Sequence, residues 1–229
     1  MLRKIFDIGG MEVNIGGYNI KIRNRSNRIL RSENRRNSVL FFETPRCGSG
    51  SIVKLCREVN VETHGHNRRG NYTFLRDRAD LKEKFVFTVV RNPIDRFVSA
   101  FKWLSGGGEN EMDRQEMEKF QVNTLEINEF VDRWIFDESP LFQQAHFTPM
   151  VDYLTDDSEL LIPDLIIEYE ALSRSERVIL NLIGSRRGAL PFVHKTSLGE
   201  QRLSENSKAR LYKYYRKDFE CFYPEIRLV

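Results

Sequence analysis

The sequence predicts an α/β fold, three layers deep (α/β/α) around a central parallel sheet, and three stretches carry that expectation. Ser38-Val39-Leu40-Phe41-Phe42 and Phe85-Val86-Phe87-Thr88-Val89-Val90 are short, continuous apolar runs of the kind that fill a strand buried on both faces. Each passes through a short polar loop into helical spacing: Ile52, Val53, Leu55 and Cys56 after the first, Phe97, Ala100, Phe101 and Leu104 after the second. A third run, Leu165-Ile166-Ile167-Glu168-Tyr169-Glu170, reads as a core strand leaving for a helix over residues 172–183. Repeated strand–loop–helix units are the pattern of a parallel sheet with crossover helices.

The two loops carry the chemistry. In the first, Thr44-Pro45-Arg46-Cys47-Gly48-Ser49-Gly50-Ser51 lies where a strand hands over to a helix. Small residues there let backbone N–H groups face one concavity, and the unsatisfied amides and positive dipole end hold an anion. Ser49 and Ser51 add hydroxyl donors, and Arg46 adds a planar fork for phosphate or sulfate oxygens. A triphosphate loop of the form G-x-x-x-x-G-K-[ST] has a lysine before its hydroxyl residue; Gly50 stands there, which argues against a kinase or ATPase. In the second loop, Arg91 leaves the strand end, where ligands of open α/β sheets bind, and Pro93 suits a helix first turn. Ser99 lies two turns into that helix, and Arg96 reads either as a ligand-facing or as a surface arginine.

The pair Pro45-Arg46-Cys47-Gly48-Ser49-Gly50-Ser51 and Arg91-Asn92-Pro93-Ile94-Asp95-Arg96-Phe97-Val98-Ser99-Ala100-Phe101 resembles the two cofactor signatures of sulfotransferases that use 3′-phosphoadenosine 5′-phosphosulfate. The likeness is to sulfotransferase family 2, the carbohydrate type that includes heparan and chondroitin sulfotransferases. It implies a P-loop-NTPase-like sulfotransferase fold, in which Arg46, Cys47, Gly48, Ser49, Gly50 and Ser51 hold the 5′-phosphosulfate while Arg91 and Ser99 hold the 3′-phosphate. The family's first loop usually has lysine after its proline, so Arg46 is a departure at a catalytic position.

A third segment, Thr63-His64-Gly65-His66-Asn67, follows a candidate strand Val59-Asn60-Val61-Glu62 and is similar to the His-Gly-His element of uronyl 2-O-sulfotransferases. In extended chain the two imidazoles point the same way. Sulfuryl transfer to an alcohol needs a proton acceptor, and the resemblance implies His66 as general base with His64 orienting it or binding substrate. The plain alternative is a pair of solvent-exposed histidines. Gln144-Ala145-His146-Phe147-Thr148-Pro149 is similar to the family's acceptor-side His-x-x-Pro segment, which makes His146 the second candidate base or a substrate-binding residue. Glu168 is read as serving the acceptor hydroxyls or as an ion-pair partner. The late loop with Lys195, Thr196 and Ser197 matches a basic loop that closes over the cofactor's adenosine, and a last helix, about residues 204–219, carries Leu211, Tyr212, Tyr215 and Phe219 on one side as core and ends in a segment similar to the family's closing Y-x-x-D-F helix.

Composition agrees with one catalytic domain, residues 37–229, behind a basic N-terminal hairpin and extension, residues 1–36. The chain of 229 residues, 40% hydrophobic and 30% charged, can bury a sizeable core. Residues 1–36 hold nine Lys/Arg against three Asp/Glu, so the whole basic excess lies there. Met11, Val13 and Ile15, then Tyr18, Ile20 and Ile22, alternate about Gly16-Gly17 as a hairpin does. The arginines beyond it either form a solvated linker or steer an anionic glycan or the cofactor toward the cleft. No groove-reading motif accompanies this charge, so nucleic acid is not expected as a partner. Three cysteines without metal spacing, no 18-residue apolar stretch and no signal-peptide pattern lead to the expectation of a cytoplasmic protein with reduced thiols, no integral membrane segment and no metal. Ser105-Gly106-Gly107-Gly108 reads as a mobile lid loop.

The expected reaction is transfer of a sulfuryl group from 3′-phosphoadenosine 5′-phosphosulfate to a carbohydrate or glycan hydroxyl, with 3′-phosphoadenosine 5′-phosphate as product. Two rivals are a nucleotide or sugar kinase-like phosphotransferase on a related fold and a non-catalytic binder of anionic glycans. Acceptor identity and oligomeric state are not encoded in any motif.

Overall fold

The structure is a computed structural model and describes residues 11–15, 18–22, 38–65, 79–190 and 201–226. The chain divides into two compact units, Met1–Arg91 with Met150–His194, and Asn92–Pro149 with Lys195–Val229.

The first unit holds the sheet. Strands β1 (Met11–Ile15) and β2 (Tyr18–Ile22) form the expected antiparallel hairpin, with Ile15 opposite Tyr18. Strands β3 (Val39–Phe42), β4 (Glu62–His64), β5 (Phe85–Val90) and β6 (Leu165–Glu168) are mutually parallel, in the order β4-β3-β5-β6, and β2 adds antiparallel to β6. Every residue of β3, β5 and β6 is buried, as their unbroken apolar sequences require of strands covered on both faces. Helix α1 (Ser49–Glu58) packs on β4, burying Ile52, Val53, Leu55 and Cys56, and α6 (Leu172–Leu182) packs on β6. Helix α5 (Met150–Leu154) completes this unit. A parallel sheet with flanking helices is the three-layer α/β fold expected. Since β3 neighbours β4 on one side and β5 on the other, the chain reverses its winding direction between β3 and β5, the switch point at which such sheets bind ligands.

One strand differs from expectation. Val59 and Asn60 end α1 instead of starting β4: Asn60 takes a left-handed φ of 60°, its N–H donates to Arg57 O at 3.3 Å, and Val61 N–H donates to Cys56 O at 2.8 Å. This is a helix-terminating motif with asparagine in the place glycine usually fills, and it moves the strand to 62–64.

The second unit is helical. Helix α2 (Pro93–Ser105) starts as the sequence indicates, with Pro93 in its first turn and Asn92 Oδ1 accepting from Ile94 and Asp95 N–H at 3.0 and 3.4 Å. Its Phe97, Ala100, Phe101 and Leu104 face is buried. Phe97, Phe101, Phe130 and Phe147 form an aromatic cluster with ring centroids 5.2–6.1 Å apart. Helices α3 (Glu111–Lys119), α4 (Ile127–Trp134), α7 (Glu205–Tyr214) and α8 (Arg216–Phe222) complete the unit. The single closing helix expected is thus two, divided at Tyr215, whose hydroxyl donates to Phe147 O at 2.8 Å. Of the face expected in the core, Leu211, Tyr215 and Phe219 are buried while Tyr212 is half-buried.

The glycine-rich loop read as a mobile lid is a hydrogen-bonded turn. Gly107 and Gly108, at φ 89° and 64°, donate to Leu104 O and Trp103 O, and the Asp113 carboxylate accepts from the next two amides. A Cβ on Gly108 would lie 2.2 Å from that of Asp113.

None of the three cysteines forms a disulfide and all are buried, and burial pushes the Cys56 thiol up to about 12. The folded protein is therefore expected to leave its three thiols unmodified by Ellman's reagent at pH 8 and to expose all three in denaturant. A folded state that holds this proton more tightly than the unfolded chain loses stability as pH rises above 9, the ordinary thiol value.

Candidate anion-binding site

The end of β3 builds the site. Thr88 Oγ1, buried in β5, donates to Phe42 O at 2.9 Å and so accepts from Thr44 Oγ1 at 2.8 Å, which ties the loop after β3 to the adjacent strand. The chain then turns sharply: Arg46 and Gly48 both take left-handed φ values, 62° and 74°, on either side of Cys47. A left-handed arginine costs about 1 kcal/mol or more, strain that is typical of ligand-binding turns. Cys47 puts its thiol inside, 3.5 Å from Pro45 O and 3.7 Å from Met150 Sδ, and its N–H closes a turn to Thr44 O at 3.4 Å.

Gly48 is the N-cap of α1, and no side chain caps that helix. Its first turn, Ser49, Gly50 and Ser51, contains no acidic residue, so the amides and the positive end of the dipole keep their preference for an anion. Ser49 donates its hydroxyl to Glu43 Oε1 at 3.1 Å, which sets a carboxylate beside the loop that the sequence pattern did not single out. Glu43 N–H donates to His64 O at 2.7 Å, joining the loop to the end of β4.

Arg91 arrives from the end of β5. Its Nη1 donates to Arg46 O at 3.4 Å, its Nε is buried with no hydrogen-bond partner, and its guanidinium carbon lies 4.6 Å from the centre of the Tyr169 ring. Tyr169 follows β6, and the space a Cβ on Gly48 would need is taken by its ring, 2.5 Å away at Cε2. Loop amides at one strand end and an arginine with unused donors at the next form a cradle suited to the oxygens of a phosphate or sulfate ester. Glu168, at the end of β6 opposite Val90, is buried.

His64 ends β4 opposite Phe42, its half-buried ring 5.9 Å from the phenylalanine ring. Gly65 then takes φ 128°, and a Cβ there would sit 2.6 Å from Glu43 O. The extended chain assumed for the two imidazoles therefore ends at Gly65. His66, Lys195, Thr196 and Ser197 lie outside the described residues.

Ser99 and His146 belong to the second unit. Ser99 is half-buried on α2. Arg96 is neither surface nor ligand-facing: it is fully buried and donates through Nη1 to Thr148 O at 2.8 Å and through Nη2 to Ala145 O at 3.5 Å. These bonds pin the segment that carries His146. The His146 ring lies 4.0 Å from that of Trp103, tilted by 39°, and the His146 backbone N–H donates to Gln144 Oε1 at 2.7 Å. That fixes the Gln144 amide with its NH₂ toward His146 Nδ1, 3.0 Å away, so Nδ1 accepts and the neutral imidazole carries its proton on Nε2. With the Nδ1 lone pair engaged by Gln144 and the proton on Nε2, the ring is poorly prepared to act as a base.

Among the described residues no group of His, Cys, Asp and Glu is placed to hold a metal ion, and no helix is long and apolar enough to cross a membrane.

A doubly wound α/β sheet with an uncapped helix N-terminus and an arginine at its switch point is the arrangement in which folds of this class bind oxyanions. The chain belongs to the sulfotransferase family, whose model matches residues 33–224, from just before β3 through α8. No curated protein and no solved structure matches it significantly. Membership bears out the resemblance read from the two loops and makes the general activity sulfuryl transfer.

Proposed function

We propose that the protein transfers a sulfuryl group from 3′-phosphoadenosine 5′-phosphosulfate to a carbohydrate hydroxyl, with His66 accepting the proton. The observation that supports this most directly is the Arg46–Ser51 loop and Arg91 side by side at adjacent strand ends, within a chain of the sulfotransferase family. The donor supplies an activated sulfuryl group on a phosphate leaving group. The α1 amides of Gly48, Ser49, Gly50 and Ser51 bind its 5′ end, and Arg46 neutralises the charge that develops on the oxygen between phosphorus and sulfur. Arg91 and Ser99 hold the 3′-phosphate, and Lys195, Thr196 and Ser197 cover the nucleotide.

As the acceptor oxygen bonds to sulfur, the S–O bond to the phosphate breaks, the hydroxyl proton passes to His66, and 3′-phosphoadenosine 5′-phosphate leaves. His64 positions His66 or the acceptor, while His146, through Nε2–H, and Glu168 bind acceptor hydroxyls. The carbohydrate class rests on the similarity of the His-Gly-His and His-x-x-Pro segments to those of carbohydrate sulfotransferases.

Calorimetry with 3′-phosphoadenosine 5′-phosphate and with ATP tests the donor. The bisphosphate is expected to bind at least about tenfold more tightly, since ATP lacks the 3′-phosphate and its charge-assisted bonds. Transfer of radiolabelled sulfate to a panel of glycans tests the acceptor. Preference for ATP with magnesium-dependent turnover, or a panel in which no glycan takes up label, overturns the respective half.

A further inference from the structure

Resting on the donor reading above, we propose that Tyr169 is a positioning residue of the donor site: it holds the Arg91 guanidinium beside the anion loop and thereby sets the affinity for the donor. Nothing in the sequence pattern marks this tyrosine, and its 38% exposure gives it no large role in the core.

Its placement is specific on two sides. The ring lies under the Arg91 guanidinium at 4.6 Å, and its Cδ2–Cε2 edge fills the space that any side chain on Gly48 would occupy. One ring thus touches both parts of the cradle. Among the described residues the phenol oxygen takes part in no hydrogen bond, so the contact is made by the ring itself.

The chemistry of the contact matters. An arginine at a strand end has several rotatable bonds and, left alone, samples many rotamers. A carboxylate would hold it, but would also neutralise it and occupy its N–H groups. The face of an aromatic ring attracts the cation while leaving its donors available. With one long bond to Arg46 O and a buried Nε that has no acceptor, Arg91 keeps donors for an incoming oxyanion. Tyr169 therefore orients the charge without competing with the ligand. The close approach at Gly48 adds a second constraint: a Cβ at this left-handed cap of α1 would collide with the ring, so the ring packs there only against glycine.

The test is calorimetry on the full chain with two probes, 3′-phosphoadenosine 5′-phosphate and inorganic pyrophosphate, for the parent, Tyr169→Phe, Tyr169→Leu, Tyr169→Met, Arg91→Ala and the Arg91→Ala/Tyr169→Leu double variant. Removing the ring is expected to weaken binding roughly 3- to 30-fold, whereas Tyr169→Phe stays within about twofold. In turnover the Leu and Met variants raise the KM for the donor and keep kcat. The double variant binds no more weakly than Arg91→Ala alone, because the tyrosine acts through the arginine. Parent-like binding by both Tyr169→Leu and Tyr169→Met, or losses that add fully in the double variant, overturns the proposal. A parent that binds pyrophosphate but not the adenosine bisphosphate overturns the donor reading, and the pyrophosphate series then decides the role of Tyr169 by itself. A parent that binds neither overturns both.

Discussion

Replacing His66 with alanine is expected to lower kcat on the order of 10²–10⁴-fold while leaving the Kd for 3′-phosphoadenosine 5′-phosphate within about twofold of the parent. The magnitude is that of a positioned general base, and retained donor binding separates proton transfer from the anion cradle. His66 is covalently next to Gly65, where Glu43 O leaves no room for a Cβ, and Glu43 is hydrogen-bonded to the first residue of α1. His64 and Gly65 are thus tied to the loop that opens α1. His146→Ala is expected to change kcat by less than about tenfold, because a ring whose Nδ1 accepts from Gln144 presents an N–H and offers a substrate hydrogen bond instead of a basic lone pair. Steady-state kinetics and pH profiles check both. The acid-side loss of kcat/KM expected of the parent should vanish in His66→Gln and persist in His146→Gln. If His66→Ala turns over like the parent and His146→Ala does not, the two roles are exchanged.

The largest effect on stability is expected at Arg96. A guanidinium stays charged inside a protein, so complete burial is tolerable only when its N–H groups are bonded. Here they are bonded to carbonyls of residues 145 and 148, and the same segment is held by Thr148 Oγ1 donating to Phe142 O and by Tyr215 donating to Phe147 O. Arg96→Met keeps most of the volume and strands those carbonyls, at a cost of about 2–4 kcal/mol. For a chain of 229 residues that corresponds to a fall in Tm of roughly 5–15 °C. Differential scanning calorimetry checks this, and a shift of less than about 1 °C would mean that the buried guanidinium contributes nothing. Arg96→Lys, which keeps the charge but not the fork, is expected to fall between the two.

How far the sequence could be read depended on the range of the interactions involved. Strands β3, β5 and β6 were legible because burial on both faces leaves an unbroken apolar run, and α2 because Pro93, Asn92 and a periodic apolar face are all local signals. The start of β4 was misplaced because Asn60 terminates α1 in a left-handed conformation, which asparagine adopts far less often than glycine. The places of Arg46, Gly48 and Arg91 after β3 and β5 were legible because strand-to-helix turns draw on few residue types. Tyr169 was not: its contacts with Gly48 and Arg91 span residues 48 to 169 and exist only once three strand ends lie side by side. Glu43 was missed for the same reason, since a carboxylate before an anion loop has no sequence signature until Ser49 bonds to it.

By itself the sequence determined the α/β class, the two strand-to-helix loops and, through them, membership of the sulfotransferase family, because backbone handover from strand to helix and the choice of arginine, serine and glycine are written over a few consecutive residues. Only the tertiary structure decided that Arg96 is a buried anchor and not a ligand arginine, which proton His146 carries, and that Tyr169 underlies Arg91. Each of these depends on which distant carbonyl, amide or ring a side chain meets, and that is set by packing.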